Sequence, residues 1–174
     1  MNSIYHIHIR LPQATIHWRR PFGNRTIFGC VSHLATFKKT AAALQSHLRK
    51  FGISAFVAHV DIEPTREWQD EIEAGLFSMD ALAAILMPGF QESNWTDQEV
   101  GVAVGRGVLV VPIIRGLNPY GFIGKYQGLP ANGKTVKEVA GTVFEILVSS
   151  SKTRGRLLNS LARSMHGETT YIEC

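Results

Sequence analysis

From Arg25 onward the sequence alternates short apolar runs with longer amphipathic stretches. The apolar runs are TIFGCVS (26–32), ISAFVAHV (53–60), ALAAILMP (81–88) and GVLVVPII (107–114). They lack the alternation of a half-exposed strand, which is typical of strands that helices cover on both faces. Because amphipathic stretches separate these runs, the pattern predicts parallel strands joined by crossover helices.

The amphipathic stretches carry apolar residues three and four positions apart, as helices with one buried face do. Gly52 is placed to end the first helix, and Pro64 forbids the second helix from running through it. Ser93 is placed to cap the third helix, and residues 134–150 predict the last one. The Gly- and Pro-rich segment before that helix predicts an irregular loop with a short edge strand around 128–130. The whole predicts one α/β domain with a central parallel sheet of about five strands.

Composition narrows the class of protein further. The chain has 174 residues, of which 45% are hydrophobic and 18% charged, as expected for one soluble globular domain. No apolar stretch approaches the roughly 20 residues that cross a bilayer, and no secretory signal opens the chain. Two cysteines, Cys30 and Cys174, are too few for a disulfide framework or a zinc site, and His6 and His8 lack further ligands nearby. We expect a cytoplasmic protein with no membrane segment and no metal.

The basic residues lie mainly at the two ends of the chain. Residues 1–25 hold four arginines and no acid, residues 151–174 hold four basic residues and two acids, and the central segment therefore carries −2 of the overall +4. A nucleic-acid-binding core would need a basic face on the folded body. We therefore expect no direct nucleic-acid binding by the core. The ends, including Lys152 and Arg156, are interpreted as solvated arms or as contacts to an anionic partner.

A tryptophan and a glutamate share one side of the third predicted helix. Trp95 and Glu99 are four positions apart in SNWTDQE, which stacks them one turn from each other. The core-facing residues would be Val100, Ala103 and Val104. Glu99 then lies at the edge of the buried stripe, either bordering a pocket or simply exposed near a helix N-terminus that favours its charge. Trp95 is interpreted as a core anchor as well as a pocket residue.

Four motifs in order resemble the Toll/interleukin-1 receptor (TIR) domain over residues 26–150. They are IFGCVSH, LRKFGISAFVAHVDIEP, ILMPGFQESNWTDQEVGVA and VLVVPII. The resemblance implies a flavodoxin-like, three-layer α/β domain with a ligand crevice outside the carboxyl ends of the strands. Residues 1–25 are then a basic N-terminal extension, and residues 151–174 a basic C-terminal helix or linker.

The resemblance also implies a site. Catalytic members of the family carry a Glu four residues after a Trp on this helix, which makes Glu99 the catalytic residue. Contacts to the substrate are expected from Ser32, His33, Lys38, Trp68 and Trp95. Trp68 is expected either to stack on nicotinamide or to be buried under a loop. The arginine that contacts the diphosphate in relatives has no counterpart after His33, and Lys38 is the candidate to replace it. Relatives use the loop that contains Asp61, Glu63 and Pro64 for contacts between TIR domains.

The function implied is cleavage of NAD between nicotinamide and ribose by a glycohydrolase or cyclase that assembly activates, in bacterial anti-phage defence. NAD is then a substrate, no cofactor is needed, and a regulatory domain or partner protein would meet the basic ends. One carboxylate suffices, because it stabilises the cationic ribose while nicotinamide leaves neutral. Two alternatives stay open: a non-enzymatic adaptor that acts by homotypic TIR association, and a sugar transferase that uses a helix-borne Glu as nucleophile.

Overall fold

The structure is a computed structural model that describes residues 27–57 and 68–169. Within these ranges the side chains at positions 28, 68, 69, 71 and 164–169 are not described. The predicted roles of Asp61, Glu63 and Pro64, the histidines of the N-terminal extension and the side chain of Trp68 therefore lie outside the described residues.

The predicted parallel sheet is confirmed, with five strands in the order β2-β1-β3-β4-β5. Every neighbouring pair of strands is parallel. The strands are β1 (Ile27–Ser32), β2 (Ile53–Phe56), β3 (Ala81–Leu86), β4 (Leu109–Ile114) and the short β5 (Leu129–Pro130). After β2 the chain returns past β1 to form β3 on its other side. This reversal next to β1 is the switch point at which such sheets leave a crevice at their carboxyl edge.

Helices cover both faces of the sheet and complete the predicted three layers. They are α1 (Lys38–Arg49), α2 (Trp68–Ser78), α3 (Asn94–Gly105), α4 (Val136–Ser149) and α5 (Arg154–Thr169). One buried cluster joins α1, α4 and α5 to the sheet face that carries Val31 and Val111. A second cluster joins α2 and α3 to the face that carries Cys30 and Leu82. No helix in the described part of the chain is long and apolar enough to span a membrane.

The last helix is packed onto the body of the domain. Leu157 of α5 is fully buried in the first cluster. Arg156 forms an ion pair with Asp80, which precedes β3, and Lys152 donates a hydrogen bond to the Gly107 carbonyl, 2.7 Å away. The sequence pattern indicates that Lys152 and Arg156 belong to a solvated arm or contact an anionic partner, whereas the structure joins both side chains to loops at the amino edge of the sheet. Sequence periodicity could not reveal these partners, because they are distant in the chain.

Candidate functional site

The start of α3 is fixed by a tight turn and a buried hydroxyl. Gly89 adopts a φ of 88°, a left-handed conformation that suits glycine, and Phe90 after it is fully buried. Ser93 caps the helix by accepting a hydrogen bond from the Thr96 amide, as the sequence predicted. The Thr96 hydroxyl donates to the Phe90 carbonyl over 2.6 Å. These bonds set the rotation of the first helical turn, and therefore the direction in which later side chains leave α3.

Glu99 lies at the edge of the buried side of α3. Val100 and Ala103 are buried, as predicted. Val104 was also expected to face the core but is only partly buried, whereas Thr96 is buried. Glu99 itself is partly buried. Trp95, one turn earlier on the same side, is 44% exposed, so its interpretation as a core anchor is wrong. The helix thus presents a half-covered carboxyl group beside an accessible indole.

The environment of Glu99 changes its acidity. Burial raises the pKa of its carboxyl group from 4.5 to about 7, and the Ser32 hydroxyl works in the opposite direction by favouring the ionised form. The Ser32 hydroxyl meets no partner with the distance and angle of an ordinary hydrogen bond in the described part of the chain. Both observations hold if the contact between the two side chains is longer or less well aligned than an ordinary hydrogen bond. Near neutral pH, Glu99 is therefore poised between its two protonation states.

Ser32 ends β1 at the switch point of the sheet, and His33 follows it directly. Both are buried, with 1% and 6% of their surface exposed. The Nδ1 atom of His33 lies 3.1 Å from the Val31 carbonyl oxygen, a contact within its own strand end. Ser32 follows Cys30 in the period-two pattern of the strand and so points to the sheet face that α2 and α3 cover. The structure thus brings Ser32 and Glu99 together, as a shared crevice requires.

Of the other predicted contacts, Lys38 lies in a different helical layer from Glu99, and the side chain of Trp68 is not described. Lys38 is exposed at the first position of α1, in the helical layer on the opposite face of the sheet. The backbone of Trp68 begins α2, which packs on the same face as α3. Among the described residues, no three His, Cys, Asp or Glu side chains are grouped as a metal site would require.

A tyrosine that the sequence did not single out braces the other side of α3. The Tyr120 hydroxyl donates to Asp97 over 3.0 Å. Burial, with the hydrogen bond and charge of Asp97, raises the pKa of Tyr120 to about 12. Asp97 and Glu99 lie about 200° apart around the helix, so the hydrogen bond between Tyr120 and Asp97 is on the side of α3 that faces away from Glu99. Tyr120 lies in the aperiodic loop after β4, where sequence patterns give no signal of its partner.

A small cavity lies on the opposite face of the sheet and does not include Glu99. It is lined by Phe37, Thr40, Leu44, Ile85, Ile113, Arg115, Val136 and Val139. Arg115 donates a hydrogen bond to the Lys134 carbonyl at its rim. The lining is mostly apolar and belongs to the packing of α1 against α4. We place the candidate site instead at the carboxyl edge of the sheet, where β1 ends at Ser32 and Glu99 lies at the edge of the buried side of α3.

Comparison with known proteins identifies the family. The sequence profile of the TIR domain matches residues 30–137, which is more than half of the chain. The fold is similar to the crystal structure of the TIR domain of the Toll-related receptor TRR-2 from Hydra magnipapillata, with a TM-score of 0.56 and 16% sequence identity over 70% of this chain and 98% of that one. A search of curated proteins gave no match. The chain belongs to the TIR domain family.

Proposed function

We propose that this TIR domain cleaves NAD at the bond between nicotinamide and ribose, with Glu99 as the catalytic residue. The observation that carries the proposal is the position of this carboxyl group. It is partly buried beside Ser32 at the carboxyl edge of the sheet, one helical turn from the exposed indole of Trp95. A glutamate with only a solubilising role on α3 would not need this covered position.

The reaction needs one negative charge in a site of low polarity. The bond between the ribose carbon and the nicotinamide nitrogen breaks, and its electron pair leaves with the nitrogen, so nicotinamide departs neutral. Positive charge then develops on the ribose, and an ionised Glu99 stabilises it. Water adds to give ADP-ribose and releases a proton, or a nitrogen of the adenine base adds to give a cyclic isomer. NAD is the substrate, and the mechanism uses no cofactor.

The acidity of Glu99 is compatible with this role. With a pKa of about 7, roughly half of the carboxyl groups are ionised at neutral pH in the free protein. A bound nicotinamide ring carries a positive charge, and a nearby cation favours the ionised carboxylate. Binding of NAD would therefore complete the ionisation of Glu99 and release protons to the solvent.

The remaining contacts complete the proposal for NAD. Trp95 and Trp68 supply aromatic faces for stacking on the nicotinamide or adenine ring, which contributes about 1 kcal/mol beyond area burial. His33 and Lys38 are proposed to contact the ribose and diphosphate. Assembly of several copies is proposed to complete the crevice through the loop that contains residues 61–64. The setting proposed is bacterial anti-phage defence in the cytoplasm, with a regulatory partner at the basic ends of the chain.

An adaptor that acts by homotypic association is the second candidate, and an exposed aromatic residue favours it. Phe122 is 79% exposed in the short turn Gly121–Ile123, whereas the next residue, Ile123, is fully buried. The buried neighbour holds the turn against the body, so the exposed ring is presented at a fixed place. Aromatic anchors of this kind are enriched at protein interfaces. This candidate predicts association that does not depend on Glu99.

Release of nicotinamide from NAD distinguishes the two candidates. The protein would be concentrated on beads to force assembly, and the wild type compared with Glu99→Gln and with Glu145→Gln, an exposed glutamate on α4 that serves as the matched control. The enzyme predicts release by wild type and control, and a loss of at least about 100-fold in Glu99→Gln. No release by any of them, with association intact, would support the adaptor.

A further inference from the structure

We propose that Ser32 is a positioning residue that binds the ionised Glu99 carboxylate, and that it acts through Glu99 rather than as a ligand of the nucleotide. The inference rests on the proposed role of Glu99 and changes the expectation from the sequence, which grouped Ser32 with the substrate contacts. Its starting point is a buried hydroxyl group that has no ordinary hydrogen-bond partner in the described part of the chain and that acts on the acidity of Glu99.

The location of Ser32 argues against direct contact with a substrate. Only 1% of its surface is exposed, and its side chain points between the sheet and the α2 and α3 layer. A nucleotide at the carboxyl edge would have to displace the packing of α3 to reach this hydroxyl. Glu99 lies nearer the rim, because it is only partly buried. A ligand in the crevice would therefore meet Glu99 first.

The hydroxyl also needs a partner. A buried hydroxyl without a hydrogen bond costs about 1–3 kcal/mol, and its oxygen has no ordinary partner among the described residues. A carboxylate is the stronger acceptor when it is ionised, because the hydrogen bond is then assisted by charge. A hydrogen bond from the Ser32 hydroxyl to the ionised Glu99 carboxylate thus gives the donor and the acceptor a partner each.

Among the side chains that the structure describes, the titratable and charged groups on the elements around Glu99 are Cys30, His33, Asp70, Glu73, Glu92, Asp97, Arg106 and Tyr120. Asp70, Glu73, Glu92 and Asp97 are exposed, and Asp97 lies on the other side of its helix. The causes that act on the acidity of Glu99 are burial and, against it, the Ser32 hydroxyl. Ser32 is accordingly the side chain whose removal should change the charge of Glu99 most directly.

The test is a titration of the Glu99 carboxyl carbon by NMR in protein labelled with ¹³C at glutamate, with Glu99→Gln assigning the signal. Ser32→Ala should raise the midpoint by about one pH unit, a tenfold change in proton affinity. Ser32→Cys, a weak donor of similar size, should shift it the same way and serves if Ser32→Ala does not fold. Ser32→Thr should restore the midpoint. Ser78→Ala, which removes a buried hydroxyl bonded within α2, should leave it unchanged.

The same variants separate a positioning role from a binding role in catalysis. Positioning predicts that the acid limb of the pH profile of kcat/KM moves up with the NMR midpoint, and that Ser32→Ala recovers to within about threefold of wild type at pH 9. A rise in KM at every pH with an unmoved midpoint would overturn the inference. So would an unmoved NMR midpoint in both Ser32→Ala and Ser32→Cys. Absence of NAD cleavage would refute the proposed function instead, because the NMR titration decides the role of Ser32 without any activity.

Discussion

Replacing Glu99 by Gln should stabilise the protein in alkaline solution. The folded protein raises the pKa of this carboxyl from 4.5 to about 7, so folding favours the protonated form. The contribution of that proton to the free energy of unfolding is fully present below pH 4.5, and it is lost as the pH rises from there through 7. Above that pH the folded protein holds a partly buried charge that the unfolded chain would expose to water. A neutral Gln of nearly the same shape avoids this cost.

The magnitude follows from the difference between the two pKa values. From 4.5 to about 7, at 1.36 kcal/mol per unit, the cost of the charge at pH 8 is about 3 kcal/mol. At pH 5 the folded protein is already protonated at Glu99, and the same relation leaves a cost of about 1 kcal/mol or less. For a chain of this length a gain of about 3 kcal/mol corresponds to a rise in Tm of roughly 6–12 °C.

Urea unfolding followed by circular dichroism at pH 5 and pH 8 measures both values. Glu99→Gln should gain stability at pH 8 and little at pH 5, while the control Glu145→Gln, exposed on α4, should stay within about 0.5 kcal/mol of wild type at both. Equal stability of Glu99→Gln and wild type at pH 8 would refute the reasoning, and so would an equal gain at both pH values. Either result would mean that the charge of the Glu99 carboxylate does not lower the free energy of unfolding.

Three further predictions follow from the same contacts. NAD cleavage should fall about tenfold between pH 8 and pH 6, because Glu99 is protonated over that range, and a flat profile of kcat/KM would contradict this. Thr96→Val should lower the free energy of unfolding by about 1–3 kcal/mol, and Thr96→Ser should lower it by less, since only Val removes the hydrogen bond to the Phe90 carbonyl. Equal losses for the two variants in urea unfolding would argue against a role of this bond. Phe122→Ala should weaken self-association in analytical ultracentrifugation while leaving Tm unchanged, and unaltered association would exclude this ring from the interface.

The fold was predictable because its strands and helices carry local signals. The apolar runs that form β3 and β4 contain no alternating polar residues, which already indicates a sheet covered by helices on both faces. The cap at Ser93 and the capping box formed by Thr135 and Glu138 are also local, since each depends on residues three positions apart. Signals of this kind need no knowledge of the tertiary structure.

The contacts that position the site were less accessible. Asp97 and Tyr120 are 23 residues apart, and Arg156 and Asp80 are 76 apart, so no spacing rule connects them. Glu99 was found because its distance from Trp95 is local and matches a family motif. Its acidity depends on Ser32 and on burial between two layers, which is a property of the packed domain.

The most direct test of the central claim is the release of nicotinamide from NAD by bead-assembled protein at pH 8, where Glu99 is ionised. We predict release by the wild type and by Glu145→Gln, and a loss of at least about 100-fold in Glu99→Gln despite its higher stability. Equal release by Glu99→Gln and wild type would contradict the claim that this carboxylate stabilises the cationic ribose.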